Sequence, residues 1–139
     1  MILPSGMTIL IIEDSRAHAR LIEIYLQELG CANPTTIVDR GDTACDLLFG
    51  RGEYEGRTFP DSLLVFLDLN LPGVHGHDIL KEMRERPATS GIPVIVCTSS
   101  ADPGEERRCL DLGASAFVEK PPSPSLLQET FETLGLAGK

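Results

Sequence analysis

The chain has 139 residues and 42% hydrophobic content, enough to build one full core, and no apolar run approaches the roughly 18 residues of a membrane-spanning helix. Its 21 acids against 12 bases give a formal charge of -9, and the bases are not clustered, which argues against direct nucleic-acid binding. No basic segment followed by an apolar run stands at the start, so a cytoplasmic location is the default expectation.

Cys31, Cys45, Cys97 and Cys109 are too widely spaced for a Cys-x-x-Cys pair and read as buried, reduced thiols. Thr8 to Ile12 is a β-branched run suited to a strand covered on both faces. From Ser15 the period changes: His18, Leu21, Ile22, Tyr25 and Leu29 follow helical spacing, and Gly30 supplies the stop. Thr35 to Val38 predicts a second strand and Thr43 to Phe49 a short helix. Gly50 to Asp61, rich in glycine and ending on Pro60-Asp61, predicts a loop.

Leu63 to Leu67 is the third strand, followed by a turn over Asn70 to Gly76 and a helix from about His77 to Arg86. Ile92 to Cys97 is the fourth, with Pro93 near its start, where a missing donor does least harm. Glu105 to Leu112 predicts a helix ended by Gly113, Ala116 to Val118 a fifth strand and Ser125 to Leu134 the last helix. Arg84, Arg86, Arg107 and Arg108, interleaved with Glu82, Glu85, Glu105 and Glu106, read as solvated helix faces. His18, beside Arg16 on the first helix, has two readings, a residue facing the kinase or an exposed histidine that is only solvated, the second being the commoner case. His75 and His77, either side of Gly76, read as surface residues with too few partners for zinc.

Five strand-then-helix units predict an α/β fold: a parallel sheet with right-handed crossovers and helices on both faces. Such sheets bind ligands beyond the carboxyl ends of their strands. Glu13 and Asp14 follow the first strand, Asp68 the third, Thr98 and Ser99 the fourth and Lys120 the fifth. Each has a plain alternative: Asp14 or Ser15 as a helix cap, Asp68 as the start of a turn, Thr98 to Ser100 as loop, Lys120 as a solvated charge. Capping, however, asks for no acid after the third strand and no lysine after the fifth. Two carboxylates ~4 Å apart repel by roughly 4 kcal/mol at an effective dielectric of ~20, so the cluster calls for protons or a cation. Oxygen ligands with room for water favour Mg²⁺.

With these residues the chain resembles the receiver domain of two-component response regulators. The resemblance rests on Glu13-Asp14, Leu67-Asp68-Leu69-Asn70-Leu71-Pro72-Gly73, Cys97-Thr98-Ser99, Phe117 and Lys120-Pro121, and runs from about Thr8 to Leu134. It implies a flavodoxin-like (βα)5 doubly wound fold with strand order 2-1-3-4-5. Residues 8–134 would form the receiver domain, between an N-terminal extension over 1–7 and a tail over 135–139. It implies that Asp68 accepts a phosphoryl group from a phosphohistidine on a sensor histidine kinase or phosphotransfer protein. Asp14 and Asp68 would hold Mg²⁺ directly, Glu13 mainly through water, and Asn70 through its backbone carbonyl. Thr98 and Lys120 would bind the phosphoryl oxygens, and Phe117 would switch with Thr98, by packing, since it lacks a hydroxyl. The domain would not be an enzyme beyond its own phosphoryl transfer and slow dephosphorylation.

The Gly50 to Asp61 loop, longer than in the smallest chemotaxis-type receivers, and the motif Leu67 to Pro72 resemble the stand-alone regulators that partner phytochrome-like sensor kinases. With no room expected for an output domain after the last helix, output would run through protein contact, by partner binding or homodimerisation. The family also implies a cis Lys120-Pro121 peptide, while Pro122 departs from its usual apolar residue and leaves the path into the last helix open. Two other readings stand beside this one. A haloacid dehalogenase-like Mg²⁺ phosphohydrolase would want an acid two residues beyond the nucleophile, where this chain has Asn70. A degenerate receiver would serve only as a binding module.

Overall fold

The computed structural model describes residues 3–56, 62–99, 102–120 and 122–136. Its strands are β1 (Thr8–Ile12), β2 (Thr35–Val38), β3 (Leu63–Leu67), β4 (Val94–Thr98) and β5 (Ala116–Glu119). Its helices are α1 (Arg16–Glu28), α2 (Gly41–Phe49), α3 (Gly76–Glu85), α4 (Pro103–Asp111) and α5 (Pro124–Thr133). The strands form one parallel sheet in the order β2-β1-β3-β4-β5, the expected flavodoxin-like winding. No described helix is long and apolar enough to cross a membrane.

Helices on both faces explain why the inner strands are apolar without alternation: every residue of β3 and β4 is buried. Alternate residues serve opposite layers. Leu10, Ile12, Val65, Leu67, Val94 and Val96 pack with α2, α3 and Cys109 of α4. Ile9, Ile11, Leu64, Phe66, Ile95 and Cys97 pack with α1 and α5, where Phe66 meets Phe131 edge-on at 6.4 Å. Leu3 and Met7, ahead of β1, join this second core, and the Asn33 side-chain amide donates to the carbonyls of Pro4 and Met7. All four cysteines are buried and free.

Several element ends differ from the sequence reading, each for a physical reason. Helix α4 starts at Pro103 rather than Glu105, because the Asp102 carboxylate accepts from the Gly104 amide and proline suits the first helical position. Helix α2 starts at Gly41 rather than Thr43: its first turn lies against the backbone of Val74 so closely that any β-carbon there would overlap it, and the Gly41 amide donates to Pro72. The loop after α2 contains a 3₁₀ turn over Gly52–Tyr54. Pro122 is buried, and Ser123 caps α5 by accepting from the Leu126 amide, which fixes the path into that helix. The Lys120-Pro121 peptide, Ser100 and the Pro60-Asp61 end of the loop lie outside the described residues.

Two side chains expected at the surface, Arg84 and His77, are partnered and largely covered. The Arg84 guanidinium donates to the carbonyls of Gly113, Thr89, Ser90 and Ile92, and burial lowers its proton affinity. His77 is largely buried against Glu105 of α4. The contacts of Arg84 with Gly113 and of His77 with Glu105 join segments distant in sequence, which helical periodicity cannot reveal.

Candidate functional site

The sheet register gathers the acids. Ile12 pairs with Leu67, so Glu13 and Asp68 leave adjacent strands side by side, and the Asp68 amide donates to the Ile12 carbonyl at 2.9 Å. On the other flank the Lys120 amide donates to the Thr98 carbonyl at 2.7 Å, carrying the lysine around the end of β4 toward the same pocket. The Glu13 and Asp68 carboxylates are 3% and 4% exposed, while Asp14 is exposed at the rim.

The lysine ammonium bridges the two buried carboxylates. Lys120 Nζ lies 2.5 Å from Glu13 Oε1 and 3.2 Å from Asp68 Oδ2, with only 7% of its side chain exposed. Burial alone would favour the neutral amine, but the two carboxylates outweigh it and hold Lys120 above its ordinary proton affinity. At Glu13 burial wins. Burial raises its pKa from 4.5 to about 7, against the opposing pull of Lys120 and of the Ser15 amide at 3.0 Å. Carboxylate oxygens of Glu13, Asp14 and Asp68 lie within 4.8 Å of one another.

A single ammonium thus leaves the pocket short of positive charge, and the ready donors are carboxylate oxygens. That combination fits a hard divalent cation. Glu13, Asp14 and Asp68 are the residues able to hold it. Asn70 is exposed, and its amide donates to Asp68 Oδ1 at 3.3 Å, which shapes the turn just past the acid. Thr98 is 1% exposed at the carboxyl end of β4. Phe117 is half-buried in β5 and packs on the layer that holds α2, α3 and Cys109 of α4.

The cap of α1 is Ser15, whose hydroxyl accepts from the His18 amide, so Asp14 is left free of that structural duty. His18 keeps 38% of its side chain exposed, in keeping with a solvated group, while its buried Nδ1 lies 4.0 Å from Glu13 Oε1 and makes no hydrogen bond. The signal available in sequence was its position one turn into the helix that follows the acidic pair.

Beneath the site, Gly76 lets the start of α3 approach the strand end. A β-carbon there would stand 2.5 Å from the Asp68 carbonyl oxygen and 2.8 Å from the Leu69 α-carbon. The Gly76 amide closes the turn by donating to the Leu69 carbonyl.

The chain is similar to known proteins. Response regulator Rcp1 of Synechocystis sp. is 33% identical over 112 residues, spanning 81% of this chain and 75% of Rcp1. The crystal structure of the Mn(2+)-bound form of Rcp1 matches with a TM-score of 0.77 and 30% identity over 93% of this chain and 94% of that one. The phosphorylated cyanobacterial phytochrome response regulator RcpA matches with a TM-score of 0.76 and 31% identity, covering 91% and 89% of the two chains. The bacteriophytochrome response regulator AtBRR gives 0.83 and 30%, covering 98% and 97%. The profile of the response regulator receiver domain matches residues 9–132, and the chain belongs to that family.

Proposed function

We propose that Asp68 is the phosphoryl acceptor of a two-component relay. Its carboxylate oxygen attacks the phosphorus of a phosphohistidine on a sensor histidine kinase or phosphotransfer protein. The P–N bond breaks as the P–O bond forms, and the histidine leaves with a proton from solvent. The observation that carries this reading is the buried Asp68 carboxylate, held by Lys120 at 3.2 Å beside two further acids. A nucleophile fixed at the end of a rigid strand loses little freedom on reaction.

Mg²⁺ suits the donor set: Asp14 and Asp68 as direct ligands, Glu13 through water, and the carbonyl of Asn70. When bound it supplies charge neutralisation for the incoming phosphoryl oxygens. Lys120 offers its ammonium and Thr98 its hydroxyl to the same oxygens. Phe117, packed on the layer it shares with Cys109 of α4, is placed to report the change by repacking. The working unit is residues 8–134, acting on no separate substrate, with output through partner binding or homodimerisation. The likeness to RcpA and AtBRR supports a phytochrome-like kinase as partner. Four free cysteines support operation in a reducing compartment, the cytoplasm.

The test is incubation with Mg²⁺ and a small phosphodonor, followed by intact mass and base-labile phosphate. One phosphoryl group should be gained, and both Asp68→Asn and omission of Mg²⁺ should abolish the gain. Continuous turnover of the donor would replace this reading with a hydrolase, and no gain at all would replace it with a silent binding module.

A further inference from the structure

Apart from the acidic pocket, the described residues bring together one more set of metal-ligating side chains. His77 stands on the first turn of α3, and Glu105 and Cys109 on successive turns of α4. His77 Nε2 is in hydrogen-bond contact with Glu105 Oε1, and the Cys109 thiol lies 3.7 Å from the same oxygen. The three ligand atoms all fall within 4.8 Å of one another. A tetrahedral ion with ligands at 2.0–2.3 Å holds them about 3.5 Å apart, so modest contraction would complete the set.

The placement suits capture of an ion. Glu105 and Cys109, four residues apart, share one helix face, and His77 closes the set from the neighbouring helix. Cys109 is fully buried, whereas the side chains of His77 and Glu105 keep 17% and 28% exposure, giving the ion a way in and a place for water as fourth ligand. Without an ion the Glu105 carboxylate takes both neighbouring groups, so the set is held together in advance. One nitrogen, one carboxylate oxygen and one sulfur form a borderline-soft set, unlike the all-oxygen pocket at Asp68.

We propose that His77, Glu105 and Cys109 form a zinc-class cation site that fastens α4 to α3. Binding requires the Cys109 thiolate, so one proton leaves to solvent as the metal–sulfur bond forms.

The experiment uses the full chain, stripped with chelator and kept in excess Mg²⁺ to occupy the acidic pocket, then dialysed against Zn²⁺ or Co²⁺. One Zn²⁺ per chain should be retained, and Co²⁺ should give a thiolate-to-cobalt charge-transfer band. Altering residues that merely orient ligands weakens sites 10–100-fold, so His77→Gln and Cys109→Ser should each weaken binding roughly tenfold or more. The cobalt band should vanish in Cys109→Ser, and Asp68→Asn should change neither result. Should Cys109→Ser fail to fold, the wild-type cobalt spectrum and His77→Gln decide. Absence of retained Zn²⁺ would mean the trio is only a hydrogen-bonded tie, and the proposal fails. Equal retention in folded His77→Gln, or loss of retention in Asp68→Asn, would overturn it by placing the ion elsewhere.

Discussion

Replacing Glu13 by glutamine keeps the shape of the side chain and removes its charge, which isolates what the buried carboxylate does to the metal-free fold. Each tenfold change in proton affinity is about 1.4 kcal/mol, so a rise from 4.5 to about 7 makes the ionised form about 3 kcal/mol less favourable in the fold than in the unfolded chain. Between those two values the folded chain holds a proton that the unfolded chain releases. The unfolding free energy therefore falls as pH rises through that window and is flat above it with respect to this group. Glutamine removes the window. At pH 8 without metal, Glu13→Gln should be more stable than wild type by about 2 to 3 kcal/mol, and the difference should shrink to near zero by pH 4.5. Urea unfolding followed by far-ultraviolet circular dichroism, in chelator, measures it. Saturating Mg²⁺ should narrow the difference, because in the wild type the ionised Glu13 adds its charge to Asp14 and Asp68 around the metal. A glutamine variant less stable than wild type at pH 8 without metal would refute the reasoning, because it would mean that Lys120 compensates fully for burial.

Lys120→Met strands two buried carboxylates and should destabilise the metal-free protein by about 3 kcal/mol at pH 8, with a smaller loss at pH 5, where Glu13 holds a proton. Equal losses at both pH values would contradict the bridging role. Gly41→Ala should lower stability by about 2 kcal/mol or more in a thermal melt, although alanine is the better helix former, because its β-carbon meets the Val74 backbone. Arg84→Met should remove about 2 kcal/mol by leaving carbonyls unpaired, and added Mg²⁺ should not restore it.

The sheet was legible in the sequence because strands covered on both faces must be apolar throughout, and β1, β3 and β4 stand between helical periods with nothing polar to blur them. The site was legible for a related reason: Glu13, Asp14, Asp68, Thr98 and Lys120 each stand where an apolar strand stops, and parallel strands stop at one edge. Long-range pairings were not legible. His77 with Glu105 depends on α3 lying next to α4, and Arg84 with the Gly113 carbonyl depends on where a loop returns. On a helical wheel both arginine and histidine fall among charges and look solvated. The start of α2 moved for the same reason: Gly41 begins it by virtue of its neighbour Val74, thirty-three positions away.

At Gly41 and Gly76 main chain occupies the volume that a first side-chain carbon would claim. The segment from Asp68 to Gly76 is therefore clasped between the openings of two helices, and its length is fixed from both sides. An insertion there would need a matching change near residue 41, so the two stretches can diverge only in concert. Freedom to acquire new recognition is left to the outward-facing Asn70 and His75, which can be exchanged without disturbing the clasp beneath.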